Sequence, residues 1–290
     1  MLEMNKNQFN ENYLTLHEET KRALKELEDL TGKEVIFRLI ETKDTNLHFK
    51  LKVKLAREIM DNHIIIINQD NISDKNALNY YIVHEIVHGL RLFKGDKSCR
   101  QVVKSKDIEV DKIIQTQVSE VLPIFRERRL DERFVSEYCS FLVRNTFSLF
   151  ANTCVDARIE LYIAENYPGL VKMQKQAQKE YCKEILQSFE KKNSDLIPKW
   201  VHLRVNAMNY AYLTKITPII GKSWTSKANN NMSDALKSLI EEMLPYLETE
   251  DKGQVTDLET LNAWADIMGL KEYVYLDDFE NINISYLLSN

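Results

Sequence analysis

The run His63-Ile64-Ile65-Ile66-Ile67-Asn68-Gln69-Asp70-Asn71, followed shortly by Asn79-Tyr80-Tyr81-Ile82-Val83-His84-Glu85-Ile86-Val87-His88-Gly89-Leu90, decides how this chain reads. Four consecutive isoleucines bounded by a polar cluster suit a short interior strand, apolar on both faces. In the second run Ile82, Val83, Ile86, Val87 and Leu90 recur at helical spacing and form a stripe that buries one side of a helix. Ser73 or Asp74 can N-cap that helix, which is predicted to continue to about Phe93. The other side of the helix carries His84, Glu85 and His88, aimed into protein or a cleft.

Working outward, residues 11–31 look helical, with Leu14, Leu24, Leu27 and Leu30 at helical spacing and Gly32 as a stop. Val35 to Ile40 is apolar and partly β-branched. His48 to Leu55 alternates, with Phe49, Leu51, Val53 and Leu55 on one face and Lys50, Lys52 and Lys54 on the other, as suits an edge strand. Beyond the histidine-bearing helix the periodicity predicts helices at 107–121, 126–166, 170–190, 198–214, 232–247 and 257–268. Tyr167-Pro168-Gly169 closes the second of these. The acidic and aromatic stretch from Tyr273 to Asn290 carries no assignable pattern. The expected fold class is therefore α+β: a small N-terminal sheet with its helix, residues 1–170, and a mainly helical part, 171–290, packed on it.

Composition bounds the function. Only seven glycines and five prolines in 290 residues favour long helices. A net charge of −5 supplies no electrostatic footprint for nucleic acid. The longest aliphatic run, Ile64 to Ile67, is too short to span a bilayer, and Met1 to Thr20 lacks the apolar core of a signal peptide. Cys99, Cys139, Cys154 and Cys182 show no CxxC pair and read as reduced thiols. The expectation is a cytoplasmic protein with neither a membrane nor a nucleic-acid partner.

The chemistry starts from His84 and His88. Histidines at i and i+4 project from one helix face, close enough to share an ion, and zinc accepts neutral imidazole nitrogens. Glu85 then lies beside the ion, where a carboxylate of ordinary basicity suffices as general base toward water that the metal acidifies. With six histidines in the chain, an HExxH arises by chance on the order of 1% of the time. The uncharged flanks of this one tighten the reading further.

A catalytic zinc takes three protein ligands and keeps one position open. After His88 the next histidine is His202, so an acidic third ligand is expected. Asn152, Asp156 and Glu160 stand four residues apart on one predicted helix, with apolar Val155, Ile159 and Ile163 alongside. Asp156 is the expected ligand, with Glu160 accepting a hydrogen bond from a ligand histidine and holding its tautomer. Two alternatives stand beside it: Glu160 as the ligand, or an ion pair between Asp156 and Arg144 or Arg158.

His84-Glu85-x-x-His88, Asn152-x-x-x-Asp156-x-Arg158-Ile159-Glu160 and Tyr167-Pro168-Gly169 together resemble the metallopeptidase-like region of bacterial and phage cobaltochelatase-related proteins. The resemblance covers about residues 75–175 and implies a zincin-like fold. It supports His84, His88 and Asp156 as zinc ligands and Glu85 as base, with Arg158 and Glu160 as supporting residues and Asn152 at the head of the motif. Val155 stands where those relatives carry an acidic residue, and no DxSxS site of a von Willebrand A-like domain is present. A chelatase role therefore does not follow from the resemblance. Residues 33–93 also resemble, more loosely, cytoplasmic zincins that cleave repressors.

Peptidases of this type add a donor that stabilises the oxyanion. His202, Arg204, Tyr210 and Tyr212 on one predicted helix, and Tyr81 one turn before His84, are the candidates. Cys154, two residues from Asp156, faces elsewhere and reads as a buried thiol. The expected function is a zinc metallopeptidase acting on a peptide or protein substrate. The alternatives are a non-catalytic zincin-fold scaffold and a zinc hydrolase of non-peptide amides.

Overall fold

The computed structural model describes residues 2–41, 50–72, 74–189, 194–221, 224–229 and 232–281. The fold is α+β and dominated by helix. It divides into two compact units: Met1–Gln101 with Ile159–Gln178 and Asp277–Asn290, and Val102–Arg158 with Lys179–Leu276.

The first unit holds a four-stranded sheet of β1 (Leu2–Asn5), β2 (Glu34–Ile40), β3 (Leu51–Lys54) and β4 (Asn62–Asn68), in the order β1-β2-β4-β3. β2 runs parallel to β4, while β1 and β3 are antiparallel to their neighbours. The isoleucine run is thus interior, with Ile65 and Ile67 fully buried, and β3 is an edge strand as its lysines suggest. His48 and Phe49 of the expected strand lie outside the described residues.

Three helices join the sheet: α1 (Lys6–Asn12), α2 (Glu18–Thr31) and α3 (Leu78–Lys94). The continuous helix expected over 11–31 is broken at 13–17. There Leu16 N–H donates to Asn10 Oδ1 and His17 N–H to Asn79 Oδ1, so side-chain amides hold the main chain out of helix. His17 then N-caps α2, its Nδ1 accepting from Glu19 N–H, and Gly32, at φ 69°, ends it in the left-handed conformation. Strand β1 escaped the sequence reading because four residues are too few to show a period.

Helix α3 follows a 3₁₀ turn over Lys75–Ala77 and has no side-chain cap. Asp74 therefore precedes that turn and does not cap the helix; Ser73 lies outside the described residues. Ile82, Val83, Ile86, Val87 and Leu90 are all buried, and at about 1.5–3 kcal/mol each their burial outweighs the roughly 1 kcal/mol of a missing cap. Gly89 permits α3 to approach its neighbours, since a Cβ there would sit 2.7 Å from Leu55 Cδ2 and 3.2 Å from Leu27 Cδ1.

The second unit contains α4 (Asp107–Glu127), most of α5 (Val135–Asn166), the greater part of α6 (Val171–Gln187), and α7 (Lys199–Ile220), α8 (Thr225–Asn229), α9 (Asp234–Met243) and α10 (Gln254–Ile267). The helix expected over 126–166 begins only at Val135, because Arg129 turns the chain at φ 56°. Two strands unseen in the sequence, β5 (Gln101–Ser105) and β6 (Val274–Asp278), pair with each other. Their partners are some 170 residues apart, which no local pattern reveals. None of the four cysteines is in a disulfide, and no described helix is long and apolar enough to cross a membrane.

Candidate metal centre

Helix α3 sets the first half of the site. Its apolar stripe faces the sheet and α2, which leaves His84, Glu85 and His88 half-buried along the other side. The two imidazole rings stand 5.1 Å apart at 69°, the neighbour relation of i and i+4 on a helix.

Helix α5 supplies the second half. It is uninterrupted from Val135 to Asn166, and the division between the two units falls inside it, after Arg158. Glu160 is fully buried and its Oε1 lies 2.8 Å from His84 Nδ1. Asp156 stands one turn earlier on the same helix. His84, His88 and Asp156 each offer one ligand atom, and these atoms lie within 4.8 Å of one another. A tetrahedral metal with bonds of about 2.0–2.2 Å spaces its ligands by roughly 3.4 Å, so side-chain adjustment alone closes the set. Two imidazoles and one carboxylate are also a donor set that zinc accepts.

Glu160 does not belong to that set. Besides His84 it accepts from Tyr80 Oη at 2.6 Å and from Gln174 Nε2 at 2.7 Å, while Gln178 Nε2 donates to Tyr80 Oη at 2.7 Å. Burial and the adjoining Glu160 carboxylate push the Tyr80 hydroxyl pKa far up, so it stays a donor. Tyr80, Gln174 and Gln178 were missed in the sequence. The available signal was positional: Tyr80 lies one turn before His84, and Gln174 and Gln178 are i and i+4 on one helix.

Glu85 is half-buried, and its Oε2 accepts from the main-chain N–H of Val53 on β3 at 3.3 Å. That N–H points away from β4, the one described neighbour of β3, so the free edge of the sheet faces the candidate base.

Two motif residues sit elsewhere. Asn152 is exposed and donates to Ser148 O of its own helix. Arg158 is buried and serves the second unit, reaching Tyr246 O at 2.6 Å, Thr260 Oγ1 at 2.7 Å and Asp257 Oδ1 at 3.4 Å. Arg144 pairs with Asp107 and Asp111. Both arginines offered as ion-pair partners of Asp156 are thus engaged with other carboxylates. Cys154 is buried, and burial followed by the Asp257 charge raises its thiol pKa, which makes it an inert packing group.

Among the candidate oxyanion donors, Tyr81 lies on α3 with Lys50 Nζ 5.5 Å from its ring centre. His202 and Tyr210 lie on α7 in the second unit. His202 is within hydrogen-bond reach of Asn206 Nδ2, and burial lowers its pKa. Arg204 stacks on Trp200 at 4.2 Å, and Tyr212 packs edge-on to Tyr181.

No family model, no curated protein and no solved structure matches this chain.

Proposed function

We propose that this chain is a zinc-dependent peptidase of zincin-like type, in which His84, His88 and Asp156 hold the metal and Glu85 is the general base. The observation that carries the reading is the meeting of an HExxH pair on one helix face with a carboxylate from a second helix, all within 4.8 Å. Zinc bound there would supply Lewis acidity and lower the pKa of a coordinated water to about 7.

The chain's own residues supply the rest. Glu85 takes the proton from water and returns it to the leaving amine, the role of a carboxylate that stays close to the ligands without binding the metal. The β3 edge offers main-chain groups to an extended segment, which favours a peptide over a small amide. Glu160 keeps the His84 ring in place. An intact base also argues against a purely structural metal site, which has no use for one. The resemblance to the metallopeptidase-like region of cobaltochelatase-related proteins is consistent with this reading.

The test is metal content and turnover on one set of proteins. We expect one zinc per chain in the wild type, loss of zinc in Asp156→Ala, and retained zinc without peptide cleavage in Glu85→Gln. Cleavage is read on a mixture of unstructured peptides by mass spectrometry. No zinc in the wild type after reloading, or cleavage by Glu85→Gln at the wild-type rate, overturns the proposal.

A further inference from the structure

Four buried side chains join in one hydrogen-bonded group at His84. Glu160, Gln174, Tyr80 and Gln178 are 0%, 0%, 2% and 5% exposed. Burying this much polarity is costly unless it is hydrogen-bonded, and here every polar atom of the Glu160 and Tyr80 side chains is engaged, while Gln174 Oε1 is without a partner. The hydrogen bonds run in one direction. Gln178 Nε2 donates to the Tyr80 oxygen, which directs the single hydroxyl proton onward to Glu160 Oε1. Gln174 Nε2 donates to Glu160 Oε2 and also to the Glu160 main-chain oxygen, both at 2.7 Å, which pins the carboxylate to its own helix. The remaining contact is His84 Nδ1 at 2.8 Å from Oε1.

A carboxylate that already receives two donors has only acceptor capacity to offer His84. Nδ1 must therefore carry the hydrogen, which makes Nε2 the nitrogen with the lone pair. We infer that Tyr80, Gln174 and Gln178 are positioning residues that lock Glu160, and through it hold His84 as the Nδ1–H tautomer, ready to ligate through Nε2 before any metal arrives. This rests on reading His84 as a metal ligand, but the tautomer itself is a property of the metal-free protein. The gain is preorganisation: the ring has neither to flip nor to exchange a proton on binding. A merely structural network would stabilise the fold with no bearing on which nitrogen is protonated.

The experiment uses the full chain labelled with ¹⁵N-histidine, stripped of metal, above the pH at which imidazole protonates. Two-bond ¹H–¹⁵N correlations report which ring nitrogen of His84 carries hydrogen, with the signal assigned by its loss in His84→Asn. We expect pure Nδ1–H in the wild type. In Tyr80→Phe and Gln178→Met we expect a mixture of tautomers and a zinc affinity about tenfold weaker by chelator competition. Nε2–H in the wild type overturns the inference outright and requires no variant to fold. Variants that melt earlier but keep the wild-type tautomer and zinc affinity overturn it too, since the network is then structural only. A wild type that shows Nδ1–H, shifts on Tyr80→Phe and binds no zinc supports the positioning while overturning the metal reading.

Discussion

Replacing Arg158 by Met separates the two uses a motif residue can have. Arg158 lies two residues from Asp156 and within the motif that suggests a metal centre, yet its guanidinium is directed into the second unit. Met keeps the aliphatic stem and removes the charge. Two short charge-assisted hydrogen bonds disappear, to Tyr246 O and Thr260 Oγ1, each contributing about 1.5–3 kcal/mol. The Asp257 carboxylate, 1% exposed, also loses its cation at 3.4 Å. Truncating one member of a buried pair costs about 3–5 kcal/mol, and the two estimates agree. We expect Arg158→Met to lower the unfolding free energy by about 3–5 kcal/mol, a large share of a typical domain's stability, with unchanged zinc per chain in the folded protein. Arg158→Met combined with Asp257→Leu should recover part of the loss, because the buried carboxylate that faced the guanidinium goes with it. The assay is urea unfolding at 25 °C with matched m-values, alongside metal analysis of the folded fraction. A loss below about 1 kcal/mol, or loss of zinc at unchanged stability, would refute the assignment of Arg158 to the core.

Two further outcomes are expected. His63 is buried, with Nδ1 accepting from Ala56 N–H and Nε2 donating to Thr31 Oγ1, whose own proton goes to Leu27 O. Desolvation, and next the Lys33 charge, lower its pKa to about 4. The unfolded chain, titrating near 6.5, then binds the extra proton, so stability is lost as pH falls from about 6.5 to about 4, by about 3 kcal/mol. Urea unfolding at pH 7.5 and 4.5 should show a smaller pH difference in His63→Asn; equal differences would refute this. At Glu160, Ala removes the acceptor of the Tyr80 hydroxyl and of His84 Nδ1 and one of the two acceptors of Gln174 Nε2, and should cost about 3–6 kcal/mol. Gln still accepts from Tyr80 and His84 and only sets an amide N–H against Gln174 Nε2, which keeps its bond to the Glu160 main-chain oxygen, so the loss should be about 1–3 kcal/mol. Equal unfolding free energies for the two variants would contradict the described bonds.

Much of the candidate site is local and so was legible. His84, Glu85 and His88 depend only on one helix, and a helix spaces i and i+4 side chains the same way in any fold. Asp156 was legible one step less directly, as the polar member of an apolar helix. The reading of Asn152, Asp156 and Glu160 as one line overreached. At about 100° per residue a four-residue step drifts about 40°, so Asn152 and Glu160 diverge by about 80° around Asp156. The same arithmetic puts Arg158 about 200° from Asp156, on the opposite face, where it entered the core of the second unit.

By itself the sequence determined the periodic elements: an interior isoleucine strand, a buried helix with two histidines on its polar side, and a largely helical remainder. Each follows from side-chain spacing along a few turns, which is set by backbone geometry. Only the tertiary structure decided which distant groups meet. It settled that His84, of the two histidines, meets the Glu160 carboxylate expected beside them, added Tyr80, Gln174 and Gln178 behind it, turned the Val53 N–H to Glu85, and paired β5 with β6. Those pairings depend on how elements pack in three dimensions. Buried polar groups select partners by distance and direction, and neither is written in the order of residues along the chain.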